Sequence, residues 1–75
     1  MEPSRITINA KMNFGKPSIR NSRYTVAMVL ELLASGINNA EIMEDYAFLE
    51  EEDIKACLIF ASNLMNVNSI HKLVA

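Results

Sequence analysis

One cysteine, one histidine, no tryptophan, two glycines and two prolines are all that this 75-residue chain holds of the residues that staple, ligate or interrupt a fold. A lone cysteine, Cys57, excludes an intramolecular disulfide. One Cys and one His also leave too few ligands for a zinc site. Met1–Asn9 lacks the apolar core and small-residue cleavage region of a secretory leader. No run approaches the ~18 apolar residues of a membrane span. The longest apolar block is the six residues Ala56–Ala61. A reducing cytoplasm is the expected setting, and no membrane partner is expected.

What is present is apolar content, at 51% of residues. A chain this short makes one domain, near the lower limit at which an unstapled core holds a fold. With that much apolar surface, completion of the core by a second copy is expected, and so a homodimer. The predicted organisation is a single domain, 1–75. It comprises short strands and a basic hairpin in 5–24, three helices in 25–65 and a tail in 66–75.

Charge is sparse and segregated. The net charge is −2, yet five of the seven cations (Arg5, Lys11, Lys16, Arg20, Arg23) lie in the first 23 residues. Eight of the nine acids lie between residues 31 and 53. Such asymmetry implies separate surfaces for separate partners.

The residues order themselves into short elements. Arg5–Asn9 alternates with period two, with Ile6 and Ile8 on one side, and predicts a half-buried strand. Asn21-Ser22, flanked by short extended pieces, predicts a tight turn, because Asn tolerates positive φ. Thr25 is an N-cap for a helix whose Val26, Val29, Leu30 and Leu33 share one face. Gly36 stands where a left-handed C′ residue belongs. Asn38 with Glu41 forms a capping-box pattern, and Ile37 with Ile42 the accompanying staple. Phe48 and Leu49 are expected in the core. A third helix is predicted from about Glu50 to Met65. Ile54, Leu58, Ala61 and Met65 form its main stripe, widened by Cys57, Phe60 and Leu64. One helix face cannot hide the whole apolar sextet. Ile59 and Phe60 are therefore the expected dimer contacts. The predicted fold class is mainly α (α+β): a short N-terminal β-hairpin, then a three-helix, helix-turn-helix-like (homeodomain-like) bundle.

No catalytic constellation emerges. His71 stands alone in the tail, and Cys57 sits in an apolar helical run where cysteine acts as a small hydrophobe. Phe14-Gly15-Lys16 lacks the glycines and the preceding strand of a phosphate loop. Glu50–Asp53 fits the first turn of a helix, where carboxylates favour its positive end, better than a metal site. The expectation is a non-enzyme with no cofactor, metal or small-molecule substrate. Three short helices raise nucleic-acid binding, but the third helix opens with four carboxylates where a recognition helix would face phosphates. Lys11, Lys16, Arg20 and Arg23 are the better candidate contacts.

The run Gly15-Lys16-Pro17, Ile19-Arg20, Ser22-Arg23 and Val26 carries a resemblance. Gly36, Glu41-Ile42, Asp45-Tyr46, Leu49 and Asp53-Ile54 continue it in register. Over roughly residues 5–64 the chain resembles the small bacterial proteins grouped as domain of unknown function 433. It departs from their pattern at Asn21, usually Gly, and at Ala47, usually Pro. The resemblance implies a helix-turn-helix-like domain preceded by short strands. It also implies an antitoxin-like role of VapB type, in which a dimer binds its own operator DNA and neutralises a PIN-like ribonuclease toxin. The alternative is a protein-interaction module that docks such a partner without binding DNA.

Overall fold

The computed structural model describes residues 5–66; the tail beyond Asn66, with His71, lies outside them. Two short strands precede three helices. Strand β1 is Ile6–Thr7 and β2 is Ser18–Ile19, and the helices are α1 (Val26–Ala34), α2 (Asn39–Asp45) and α3 (Glu51–Leu64). The strands pair antiparallel within one chain, Ile6 opposite Ile19 and Thr7 opposite Ser18. This is the expected architecture: mainly helical, with a small N-terminal sheet. No described helix is long and apolar enough to cross a membrane.

Strand β1 is shorter than the alternation of Arg5–Asn9 predicts. The Asn9 side chain accepts the Lys11 N–H, and the Asn9 carbonyl accepts that of Met12. The chain therefore turns away after Thr7, and Ile8 is exposed rather than inward. The tight turn also shifts by one residue. Its central positions are Arg20 (φ 48°) and Asn21 (φ 60°), closed by the Ser22 N–H on the Ile19 carbonyl at 3.0 Å. Two successive left-handed residues make a type I′ turn, and Asn21 fills the second of those positions. Beyond it, Ile19 donates to the Tyr24 carbonyl and Val26 to that of Pro17, which leads the chain into α1.

The helix boundaries follow the predicted signals. Thr25 Oγ1 accepts the Met28 N–H at 3.1 Å. At the other end of α1, Gly36 (φ 94°) donates to the Leu33 carbonyl and Ile37 to that of Leu32. These are the two bonds of a Schellman motif. In α2, Asn38 Oδ1 accepts the Glu41 N–H at 2.9 Å, and Glu41 Oε1 accepts the Asn38 N–H at 3.0 Å. Both halves of the capping box are thus formed.

The core consists of Ile19 from β2, Val26 and Val29 from α1, Ile42 from α2, Leu49, and Ile54 and Cys57 from α3. Helix α3 is turned relative to its predicted stripe. Asp53, Ile54, Ala56 and Cys57 are buried, while Leu58 and Met65 are about half exposed. The inward line runs Asp53, Cys57, Phe60 at helical spacing because Asp53 is drawn inward by the N-terminal segment. Phe48 is likewise partly exposed, and Leu49 alone of that pair is buried.

At Gly36 an added Cβ would meet nothing within 4 Å. A Gly36→Ala change should therefore cost only the left-handed backbone penalty, about 1 kcal/mol. Urea unfolding followed by circular dichroism measures it; a cost near zero would contradict this account of the α1 terminus.

Candidate functional site

Asp53 is the most heavily bonded buried polar side chain among the described residues. Its side chain is 0% exposed and accepts three side-chain bonds. Arg5 Nη1 donates to Oδ1 at 2.7 Å; Arg20 Nε donates to Oδ1 at 3.0 Å and Arg20 Nη2 to Oδ2 at 2.7 Å. The Glu50 N–H adds a fourth, to Oδ2 at 2.8 Å, which caps α3. Burial pushes this carboxyl up, but the bonds from Arg20, the Glu50 amide and Arg5 outweigh it and hold it below its ordinary value. Arg5 also reaches Glu50 Oε1 at 3.0 Å. Arg20 Nη2 donates to the Phe48 carbonyl at 2.8 Å, and its guanidinium lies 4.3 Å from the Phe48 ring centroid. Tyr24 packs on Phe48 and, edge-on, on Tyr46.

This geometry reassigns Arg20. Sequence reasoning groups it with Lys11, Lys16 and Arg23 as a nucleic-acid contact, but its guanidinium faces Asp53 and Phe48 instead. Nothing in the sequence pairs residues 33 positions apart, so the partnership is a product of tertiary folding. The acidic start of α3 changes with it. Asp53 is buried and Glu50, though exposed, is paired with Arg5. That leaves Glu51 and Glu52 as the exposed carboxylates of that turn without a cation in ion-pairing distance among the described residues.

Lys11, Lys16 and Arg23 are exposed, and among the described residues no carboxylate lies within ion-pairing distance of any of them. Two turns carry them. Asn13, Phe14 and Gly15 are all left-handed, at φ 52°, 58° and 78°. For residues with a Cβ, that conformation costs about 1–2 kcal/mol each, so other contacts must hold it. Asn13 Nδ2 donates to Ser18 Oγ at 2.6 Å and to the Ser22 carbonyl at 2.9 Å. Ser18 Oγ in turn donates to the Lys16 carbonyl at 2.9 Å. Asn13 thereby clips the turn that carries Lys11 and Lys16 to the one that carries Arg23. At its tip the Phe14 side chain is 98% exposed. The sequence signal for that residue, one aromatic between two lysines beside a glycine, was present but not distinctive.

Beside this surface lies an apolar groove of about 280 Å³ between α1 and α3. Val26, Ala27 and Leu30 form one wall; Phe60, Ala61 and Leu64 form the other, with Lys16 and Pro17 at its edge. Of the two expected dimer contacts, Phe60 packs against its own core as well as lining the groove, and Ile59 is half-buried. Leu58, Leu64 and Met65 are the exposed large apolar residues of that helix and the turn after it. Cys57 is fully buried; burial, with the nearby Asp53 charge, pushes its thiol up to about 11. It acts as a core residue.

The chain belongs to the family described as "Protein of unknown function (DUF433)", which matches residues 6–61. A search of curated proteins and a search of solved structures each returned no match.

Because the Asp53 carboxyl is held low in the folded state, its contribution to stability is present above the ordinary carboxylate value of 3.8. It is lost as pH falls below that value, where the unfolded chain takes up the proton first. Thermal unfolding should show stability dropping on acidification below about pH 4. Asp53→Asn should lose about 3 kcal/mol at neutral pH and flatten that acid limb. An Asp53→Asn protein as stable as the parent would refute the structural role given to this carboxylate.

Proposed function

We propose that this DUF433 protein is a small nucleic-acid-binding regulator of antitoxin type that works as a homodimer, with Lys11, Lys16 and Arg23 on the phosphates. One observation carries the reading. These three cations are exposed, lie on turns clipped together by Asn13, and meet no carboxylate among the described residues. The internal use of Arg5 and Arg20 supports it further, since it removes Asp53 and part of the Glu50 charge from the surface that DNA would face. The α1–α3 groove is the proposed dimer seat, because it leaves apolar surface that a second copy can cover.

Each neutralised phosphate releases counterions, so affinity falls steeply with salt. Three cations per chain, doubled in a dimer, give a slope of log affinity against log salt of about −5. Fluorescence anisotropy with a duplex from the gene's own upstream region measures it. The triple change Lys11→Ala, Lys16→Ala, Arg23→Ala should abolish binding and leave helical content intact, since none of the three side chains is buried. Undetectable binding at low salt ends the reading. Arg20 is excluded from this variant because its loss would unseat Asp53.

Dimer formation has its own test. Leu64 is half exposed on the groove wall, so Leu64→Glu should yield a folded monomer where the parent sediments as a dimer. A parent chain that sediments as a monomer contradicts the groove assignment.

A second reading rests on the same groove: a protein partner, such as a PIN-like ribonuclease toxin, occupies it. Co-purification of a neighbouring gene product, lost with Leu64→Glu, in a chain that binds no DNA, would favour that reading over the first.

A further inference from the structure

We infer that Phe14 is a base-stacking residue: its ring packs on the face of a nucleobase while Lys11, Lys16 and Arg23 hold the adjoining phosphates. The inference rests on the nucleic-acid reading and names the part of the surface that contacts bases.

Three observations converge on this ring. It is 98% exposed, the most exposed of the large apolar side chains described. It sits in the middle of three successive left-handed residues, a conformation that Asn and Gly tolerate but that costs a phenylalanine. Yet the turn is closed on every side: Gly15 donates to the Met12 carbonyl at 2.9 Å, Lys16 to that of Asn13 at 3.1 Å, and Asn13 to Ser18 and Ser22. Ser18, the inner anchor, is itself buried at 2% exposure. The fold thus spends backbone strain to hold an apolar ring out in water, where it contributes nothing to the core.

The surroundings select the partner. Lys11 lies three residues before the ring, Lys16 two residues after it, and Arg23 follows the residue whose carbonyl Asn13 holds. A protein pocket for a phenylalanine is apolar, with charge depleted around its centre. An aromatic ring among long cations that meet no carboxylate among the described residues instead matches the pairing of stacking with backbone neutralisation at nucleic-acid surfaces. Either an unpaired base or an opened step of a duplex offers the same π-face.

The chain contains no tryptophan, so Phe14→Trp installs a sole reporter at the proposed contact. Its emission should be quenched by an oligonucleotide and recover when salt is added. The duplex from the upstream region and one strand of it, tested separately, tell an opened step from an unpaired base. Phe14→Ala should weaken binding about tenfold or more with no fall in melting temperature, because the ring makes no core contact. If Phe14→Ala binds like the parent while the Lys11, Lys16, Arg23 triple change does not, stacking is overturned and the nucleic-acid reading stands. If the parent itself binds no nucleic acid, both fall. A blue-shifted, brighter indole emission from the Phe14→Trp protein, growing with protein concentration alone, would place the ring in a protein interface and overturn the inference.

Discussion

The Asp53 carboxylate joins four parts of a chain that has little else to join them. Arg5 comes from the residue before β1, Arg20 from the type I′ turn, the Glu50 amide from the cap of α3, and Asp53 from its first turn. The sheet beside it is two residues per strand and closes only a few backbone bonds. A buried carboxylate is costly unless its lone pairs are satisfied. Here all the partners arrive from the N-terminal segment and the helix cap, so the segment cannot leave α3 without stranding the charge. The interaction ties the N-terminal segment and its turn to the first turn of α3.

That docking divides the cations by role. Two arginines turn inward, where planar guanidinium groups with several donors can share one carboxylate. The two lysines and Arg23 remain outside on the turns. The inward arginines also lower the exposed negative charge at the start of α3, so one interaction shapes both the interior and the outer surface. The same docking aligns Asp53, Cys57, Phe60 and Leu64 along one side of α3. Asp53 and Cys57 end in the core; Phe60 and Leu64 continue past it and become a wall of the groove. Part of the apolar excess thus lines the groove between α1 and α3, while Leu58 and Met65 stay exposed outside its walls.

Legibility in the sequence varied with the range of the interaction. The Thr25 cap, the Gly36 terminus and the Asn38–Glu41 box were each readable within a few residues, and each has the bonds its pattern implies. The turn was readable but displaced by one residue, because Arg20 as well as Asn21 takes a left-handed conformation that residue preference does not suggest for arginine. Ile8, Phe48, Leu58 and Met65 were expected inside and are exposed. The early turn after Thr7 leaves Ile8 outside, the orientation of α3 leaves Leu58 and Met65 outside, and Phe48 lies against the Arg20 guanidinium instead of in the core. Of the candidate site, Lys11, Lys16 and Arg23 could be named from charge segregation alone. The position of Phe14 could not, since its exposure depends on the bonds from Asn13 to Ser18 and Ser22.

Residue order alone specifies the succession of elements, the helix ends and the split between a basic N-terminal third and an acidic middle. These follow from local backbone chemistry and from composition, which act over one turn or over the whole chain without regard to packing. Packing in three dimensions settles which cations are structural, which apolar residues are covered, and where the exposed aromatic stands. The first outcome depends on a buried charge finding partners far away in the chain, the last on the Asn13 bonds to Ser18 and Ser22, and both exist only once the segments are packed together.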